Sequence, residues 1–255
     1  MKILLTNDDG IHAPGLTALY EELYSDFDVS IVAPETEMSA AGHSITLSNP
    51  LKVREIEKNG TFYGFAVNGT PADCVKIAVQ QLLAETPDII LSGINLGANT
   101  GINVLYSGTV SAATEGTFLG ISSAALSLDA MKDADFGFAA GFSRKIIDYI
   151  KDNKVNKNTA LNVNIPAVPE KEIKGVSLAR QSLTIHREKY EQRIDPRGNV
   201  YYWLTGEFSP DERAADTDTA LLKQNMITIT PITYDLTCLG VLERMKTIPL
   251  PQVGD

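Results

Sequence analysis

The sequence predicts an α/β protein built on a doubly wound, mostly parallel sheet with a C-terminal β-hairpin extension. Over the first two-thirds, short apolar runs alternate with helical patterns, and after about residue 160 strand-like runs dominate. Strands that alternate with crossover helices form parallel sheets with helices on both faces. A chain of 255 residues that is 44% hydrophobic can bury the core of one large domain.

The first elements follow from apolar spacing and from turn residues. Residues 3–5 predict a buried strand, and residues 29–33 predict a second one that ends at Pro34. Between them, a helix is indicated by apolar residues at helical spacing, namely Leu16, Leu19, Tyr20 and Leu23. Residues 51–67 alternate as two strands do, with a hairpin turn at Lys58-Asn59-Gly60.

A strong helix-start signal follows. Thr70 is expected to cap the helix, Pro71 occupies a first-turn position where its missing N–H does no harm, and Asp73 reaches back to the cap. The apolar face of this helix would consist of Val75, Ala78, Val79, Leu82 and Leu83. The alternation continues with a strand at 88–93, a Gly/Asn-rich loop at 93–101, a helix of small residues from about Thr109, a strand at 122–128 and a helix at 136–150.

The last third of the chain predicts strands and a protruding ribbon. The strand-like runs are 161–165, 176–183, 200–204 and 226–230. Residues 195–199 form the turn between a charged arm, 185–194, and an aromatic arm with Tyr201, Tyr202 and Trp203. Because a lone two-stranded ribbon is marginally stable, we expect it to pack against another subunit; the alternative is that it folds back onto its own domain.

We interpret residues 1–255 as a single domain. Its core sheet and helices would occupy about 1–165, its extended strands and hairpin arm about 176–206, and its return to the core and tail 207–255.

Composition and charge exclude several classes of protein. A net charge of −10 argues against a binder of nucleic-acid duplexes, which needs a basic face. No apolar run is long enough for a membrane span and no secretion signal opens the chain, so we expect no membrane partner and a cytoplasmic location. Cys74 and Cys238 are expected to be reduced packing residues. The three histidines lack the spacing of a zinc site, and His43, the one in a candidate loop, is assigned a minor role at most.

The adjacent acids Asp8 and Asp9 are the best clue to function. They follow the first predicted strand, and ligands of parallel α/β sheets bind beyond the carboxyl ends of strands. Two buried carboxylates repel each other, and a hard cation such as Mg²⁺ or Mn²⁺ is the economical way to keep both ionised. The alternative is a plain turn in which one aspartate caps the next helix, and these residues alone leave both interpretations open.

Three further loops are expected at the same edge of the sheet. Residues 39–44 supply hydroxyl and backbone N–H groups, and residues 92–99 supply uncharged amides. Residues 106–111 open a helix, where free N–H groups and the helix dipole favour an anion. Gly108 permits close approach while Ser107 and Thr109 add donors; the alternative is a plain N-cap by Thr109. A metal beside an anion site indicates phosphoryl chemistry, whereas the P-loop pattern of NTPases is absent.

Several motifs, in the same order along the chain, resemble the SurE family of stationary-phase survival proteins. They are residues 1–10 with Ala13-Pro14-Gly15, Ala33-Pro34 with 39–46, 67–75, 92–97, 106–110, 216–219 and 229–232. The resemblance implies a Rossmann-like fold. It also implies a metal-dependent phosphatase that hydrolyses nucleoside 5′- and 3′-monophosphates by attack of a metal-activated water.

The resemblance also implies roles for individual residues. One divalent ion per subunit, Mg²⁺ or Mn²⁺, would be bound by Asp8, Asp9, Ser39 and Asn95. The substrate phosphate would be held by Asn95, Ser107, Gly108 and Thr109. Asp8 and Asp9 are the expected catalytic residues, and either can accept the proton of the water. The implied assembly is a homodimer or homotetramer formed through the C-terminal hairpin.

Two functions of other classes stay open at this point. The first is a nucleotide sensor that binds Mg²⁺ and nucleotide without turnover. The second is a regulator similar to a response-regulator receiver, which also clusters acids around Mg²⁺ after its first strand. A receiver needs a third aspartate and a lysine in later loops, where this chain carries Asn95 and Ser107.

Overall fold

The structure, a computed structural model, describes residues 1–132, 134–153, 155–183, 187–207 and 214–251. Its strands are β1 (Lys2–Thr6), β2 (Asp28–Pro34), β3 (Val53–Lys58), β4 (Thr61–Val67), β5 (Ile89–Leu96), β6 (Ser122–Asp129), β7 (Ala160–Pro166), β8 (Gly175–Leu178), β9 (Arg187–Ile194), β10 (Val200–Glu207) and β11 (Met226–Ile232). Nine of them form one sheet in the order β3-β4-β2-β1-β5-β6-β7-β11-β8, and β9 and β10 form a separate ribbon.

Six α-helices accompany these strands in the described residues. They are α1 (Pro14–Leu23), α2 (Pro71–Ile77), which continues as a π-helical turn (Ala78–Leu82), α3 (Gly108–Phe118), α4 (Gly137–Asn153), α5 (Asp218–Leu222) and α6 (Leu239–Met245). Short 3₁₀ helices lie at Gly101–Leu105 and Glu170–Glu172. Among the described helices, none combines the length and the apolar character that crossing a membrane requires.

The pairing of the strands confirms the predicted Rossmann-like, mostly parallel sheet. β1 pairs in parallel with β2 and β5, and β6 pairs in parallel with β5 and β7. β3 is antiparallel to β4, and β11 is antiparallel to β7. Successive side chains of a strand point to opposite faces of the sheet. Leu5 therefore belongs to the same core cluster as Leu16 of α1, and Leu4 to the same cluster as Val75 of α2. Both faces of β1 are therefore buried, which explains its continuous apolar run.

Two local predictions are confirmed in detail. Asn59 and Gly60 both have left-handed φ angles, 55° and 74°, which is the geometry of a tight hairpin turn between β3 and β4. Asp73 N–H donates to the Thr70 hydroxyl at 3.1 Å, and Thr70 N–H donates to the Asp73 carboxylate at 3.0 Å. This reciprocal capping box fixes the start of α2.

Other elements differ from their predicted bounds. β5 continues to Leu96, with an irregular register between Ser92 and Asn95, so Asn95 lies in a strand and not in the predicted loop. β8 ends at Leu178 and does not reach residue 183. The chain leaves the sheet there because Arg180 N–H donates to the Asp216 carbonyl, next to the start of α5.

The prediction that both cysteines are packing residues is wrong for one of them. Cys74 is fully buried, as expected, and packs in the core between the sheet and α2. Cys238 is exposed and immediately precedes α6, none of whose residues is buried. The apolar composition around Cys238 was a misleading signal, because this segment lies on the surface of the chain.

The ribbon projects away from the sheet. Its large side chains at Tyr190, Ile194, Tyr202, Trp203 and Leu204 are all at least 55% exposed. The alternative in which the ribbon folds back onto its own domain is therefore wrong for its described residues. The predicted charged arm began at Ile185, but Ile185 and His186 lie outside the described residues, as do 208–213 and 252–255 of the predicted return segment and tail.

Candidate metal and phosphate site

The predicted loops meet at the carboxyl edge of the sheet. Met38 N–H donates to the Asp8 carbonyl at 2.7 Å, which attaches the loop after β2 to the end of β1. Gly42 N–H donates to the Tyr106 carbonyl at 2.9 Å, which attaches the same loop to the segment before α3. Leu96 N–H approaches the Asp9 carboxylate at 3.4 Å from the end of β5. The ends of β1, β2 and β5 and the start of α3 thus form one rim.

Asp8 lies directly against the first turn of α3. Its carboxylate accepts a hydrogen bond from the Thr109 hydroxyl at 2.5 Å, and the backbone N–H groups of Gly108 and Thr109 are close enough to favour its charged form. Burial raises the pKa of Asp8, and these hydrogen bonds offset part of that rise. The amides that the sequence assigns to phosphate therefore face a carboxylate in this structure, which is the kind of group that a helix N-terminus favours.

Gly108 is required where Asp8 meets α3. A Cβ atom at this position would lie 2.6 Å from the Asp8 Cβ and 2.8 Å from its Oδ2. Real Cβ atoms do not approach other atoms so closely, and the nearer of the two contacts is the rigid root of the Asp8 side chain. The glycine therefore permits the contact between the acid and the helix start.

Among the described side chains, none compensates the negative charge of Asp9. Burial is the main cause that raises its pKa to about 6, and the negative charges of Asp8 and, to a lesser extent, Glu37 raise it further. The backbone N–H of Leu96 has the opposite, lowering effect. Within the described ranges, neither Asp8 nor Asp9 forms an ion pair with lysine, arginine or histidine.

The donors at this rim fit a hard divalent cation. Two desolvated carboxylates that repel each other and lack a cationic partner are the arrangement that a bound Mg²⁺ or Mn²⁺ stabilises. Nowhere in the described chain do three or more histidine, cysteine or acidic side chains group as metal ligands. The candidate donors here are therefore the carboxylates of Asp8 and Asp9 together with neutral oxygens, a set that suits magnesium or manganese better than zinc.

Ser39 and Asn95, the two predicted neutral ligands, make other contacts in the structure. The exposed Ser39 hydroxyl donates to the Glu37 carboxylate at 2.5 Å. The Asn95 side-chain amide donates to the Gly97 carbonyl at 2.7 Å, a bond that does not involve its own carbonyl oxygen. Both residues lie on the rim, since Ser39 follows Met38 and Asn95 precedes Leu96, but their role as ligands stays a prediction.

The start of α3 is capped by Ser107. The Ser107 hydroxyl accepts a hydrogen bond from Val110 N–H at 3.1 Å, so the alternative of an N-cap by Thr109 is wrong. Thr109 lies one residue inside the helix, which directs its hydroxyl to Asp8 instead. The alternative in which an aspartate caps α1 is also wrong, because the cap position of α1 is Ala13 and no side chain caps it.

A second buried acid lies further along α3. The Glu115 side chain is 3% exposed and accepts hydrogen bonds from His43 Nε2 at 2.8 Å and Lys76 Nζ at 2.9 Å. Burial alone would raise the pKa of Glu115, but the contacts with His43 and Lys76 outweigh burial and lower it. Sequence reasoning missed this network, although Glu115 is the only charged residue of α3. His43 thus links the loop after β2 to α3.

A third buried acid holds the segment that follows Asn95. Asp218, which is fully buried, accepts hydrogen bonds from Gly101 N–H and Ser182 N–H, each at 2.9 Å. Asn99 is held in the same region, because its N–H donates to Asn164 Oδ1 at 2.7 Å and its carbonyl accepts from Asn162 Nδ2 at 2.8 Å. The sequence alone gives the motif 216–219 no role. In the structure, Asp218 of this motif anchors the segment around Gly101, which follows β5.

Comparisons with known proteins agree with this architecture. A family model described as survival protein SurE matches residues 3–188. A protein of Syntrophus aciditrophicus named 5′-nucleotidase SurE is 51% identical over 97% of this chain and 94% of its own length. Another of that name from Desulforudis audaxviator is 47% identical over 100% of both chains. A solved SurE protein from Aquifex aeolicus superposes with a TM-score of 0.84 at 38% identity, over 96% of this chain and 98% of its own.

Proposed function

The chain belongs to the survival protein SurE family, and from that membership we propose that it is a 5′-nucleotidase, a phosphoric monoester hydrolase. Its substrates are nucleoside 5′-monophosphates, and we extend the proposal to 3′-monophosphates. The observation that carries the proposal within this chain is the pair of uncompensated carboxylates, Asp8 and Asp9, against the start of α3.

The activity depends on one divalent ion per subunit, Mg²⁺ or Mn²⁺. Its proposed ligands are Asp8, Asp9, Ser39 and Asn95. When bound, the ion supplies positive charge that offsets the carboxylates and the phosphate and lowers the pKa of water. This assignment is supported by the oxygen-only donor set and by the lack of any cationic partner of Asp8 and Asp9 in the described part of the chain.

The residues of the chain hold the phosphate and orient the acids. Asn95, Ser107, Gly108 and Thr109 are the proposed phosphate contacts, since the first turn of α3 presents N–H groups, hydroxyls and the positive end of its dipole. Thr109 also orients Asp8 through its hydroxyl, and Met38 holds the Asp8 backbone. A carboxylate of Asp8 or Asp9 accepts a proton from the attacking water as the water oxygen bonds to phosphorus. The ester P–O bond breaks, and the nucleoside oxygen takes up a proton as the nucleoside leaves.

The proposal is tested by phosphate release from the purified full chain. AMP, GMP, CMP, UMP and 3′-AMP are incubated with Mg²⁺ or Mn²⁺, with EDTA, and with EDTA followed by excess metal. We expect release with metal, loss of release with EDTA and recovery on re-addition. AMP binding without release of phosphate would support the nucleotide sensor instead. Phosphorylation of the chain itself at an acidic residue would support the receiver-like regulator.

We also propose that the ribbon of β9 and β10 joins copies of this chain into a homodimer or homotetramer. This is supported by its exposed aromatic and aliphatic side chains, Tyr190, Tyr202, Trp203 and Leu204 among them. Light scattering after gel filtration should give a mass of two or four chains for the wild type. Trp203→Glu should lower that mass, and a monomeric wild type would refute the proposal.

A further inference from the structure

A groove begins at Ser107, one of the candidate phosphate residues, and follows one side of α3. Its volume is about 640 Å³, within the range of about 300–1,000 Å³ that is usual for small-molecule sites. From α3 it is lined by Ser107, Val110, Ser111, Thr114 and Phe118. These positions recur at intervals of three and four residues and so form one stripe of the helix. At 1.5 Å per residue, the stripe extends about 16 Å from the cap to the last turn.

The far end of this groove is aromatic. The rings of His43 and Phe118 stack with centroids 5.1 Å apart and planes 8° apart. Tyr234 meets Phe118 edge-on at 4.5 Å. Glu115 holds the Nε2 of His43 at 2.8 Å, which orients the ring that stacks on Phe118. Phe118 is nevertheless 46% exposed, which leaves much of its surface open to a ligand.

The remaining wall is apolar except for two charged residues that already have partners. Val104, Leu105 and Ile232 supply apolar surface. Arg180 lines the groove, but its guanidinium is paired with Asp216 at 2.9 Å. Asp235 also lines it, and its carboxylate accepts the Thr237 N–H at 2.9 Å. An uncharged, flat heteroaromatic group therefore suits this end of the groove better than an ion or a flexible chain does.

We infer that this groove binds the nucleoside half of the substrate, with the phosphate at the start of α3 and the base against Phe118 and Tyr234. The inference rests on the proposed nucleotidase activity. It adds the position of the leaving group and the residues that favour a nucleotide over other phosphate esters. Stacking on an aromatic ring strengthens the binding of any base, because every base has a π-face.

The test compares AMP with ribose 5-phosphate, which carries the same sugar and phosphate but no base. Phe118→Ala should lower the ratio of kcat/KM for AMP to that for ribose 5-phosphate by about tenfold, chiefly through the KM for AMP. Phe118→Trp keeps a stacking surface and should retain most of the ratio. Phe62→Ala removes a comparably exposed phenylalanine outside the groove and should not change the ratio.

Two outcomes would overturn the groove assignment. One is an unchanged ratio in Phe118→Ala, and the other is an equal loss of activity on both substrates. Calorimetry of adenosine binding gives a second readout that needs no turnover: Phe118→Ala should raise the Kd about tenfold, and an unchanged Kd would refute the inference. A wild type that binds adenosine in this way but hydrolyses no monophosphate would refute the proposed function alone.

Discussion

Two clusters of ionisable side chains lie near opposite ends of α3, and they have opposite electrostatics. At the start of the helix, the buried Asp8 and the half-buried Asp9 have no cationic side-chain partner among the described residues, and their pKa values are raised. Seven residues further along, Glu115 is buried like Asp8 but contacts His43 and Lys76, and its pKa is lowered. Burial is common to both clusters, so the difference comes from their partners.

The contrast is the one we expect between a structural acid and a functional one. Glu115 is satisfied by groups of the same chain, so it can stabilise the fold without any ligand. Asp8 and Asp9 lower the stability of the metal-free fold. A protein retains such a pair of acids where a ligand supplies the missing positive charge. We therefore expect substitutions in the first cluster to change activity, and those in the second to change stability. The following predictions test that division.

The largest effect is expected from Asp9→Asn. It removes one of the two proposed metal carboxylates, so kcat for AMP should fall by about 100-fold or more, as when a group that stabilises the transition state is lost. The melting temperature without metal should be unchanged or higher, because repulsion from Asp8 is relieved. Added Mn²⁺ should raise the melting temperature of the wild type but hardly that of the variant.

Asp28→Asn provides the matched control for Asp9→Asn. Asp28 is an exposed carboxylate at the opposite end of the sheet, where β2 begins. Its loss should leave turnover and the Mn²⁺ response as in the wild type. Near-normal kcat in Asp9→Asn would contradict the assignment of the first cluster to catalysis.

Glu115→Ala should mainly reduce stability. Lys76 and His43 lose their shared partner, so the free energy of unfolding should fall by about 2 kcal/mol, measured by urea denaturation. Glu85→Ala removes an exposed acid that pairs with Lys2 on the surface, and should cost about 0.5 kcal/mol or less. Equal losses of unfolding free energy in the two variants would show that the buried network stabilises the fold no more than a surface ion pair does.

The pH dependence of stability follows from the same network. The pKa of Glu115 is lowered in the folded chain, so its contribution is present above its ordinary value of 4.5 and is lost as the pH falls through the folded value. The stability advantage of the wild type over Glu115→Gln should therefore be full at pH 7 and should shrink below about pH 4.5. An advantage that stays constant from pH 7 to pH 3 would contradict a charged Glu115.

Thr109→Val should have a smaller effect on activity than Asp9→Asn. It removes the hydroxyl that donates to Asp8 and is a proposed phosphate contact, so KM for AMP should rise and kcat/KM should fall about tenfold. Thr117→Val removes a buried hydroxyl of the same helix that donates to the Thr114 carbonyl, far from the rim. If both variants lose activity equally, helix packing and not the contact with Asp8 is responsible.

Lys76→Met should have the smallest effect. Lys76 is 39% exposed and is one of two partners of Glu115, so its loss should lower the free energy of unfolding by about 1 kcal/mol or less. Turnover of AMP should match that of Lys58→Met, which removes a comparably exposed surface lysine. A loss of turnover as large as that of Asp9→Asn would erase the distinction between the two clusters.

The sequence predicted the elements whose signals are local. The capping box at Thr70 and Asp73, the turn at Asn59-Gly60 and the buried run of β1 each depend on residues a few positions apart, and all are confirmed. The bounds of β5 and β8 were wrong because pairing with neighbouring strands extends the first and contacts with α5 end the second. Exposure of Cys238 was missed because local composition does not report what a segment packs against.

At the candidate site, the sequence by itself determined which segments carry the proposed chemistry. A strand that ends in two aspartates, and a helix that begins with Ser-Gly-Thr, are readable from composition and order, because both depend on the adjacent backbone. Only the tertiary structure decided which acid has a basic side chain as its partner and which does not. The contacts that decide it, those of Glu115 with His43 and Lys76, join residues 72 and 39 positions apart in the chain. Such pairs form only when the sheet brings its strand ends to one edge, and no local pattern records them.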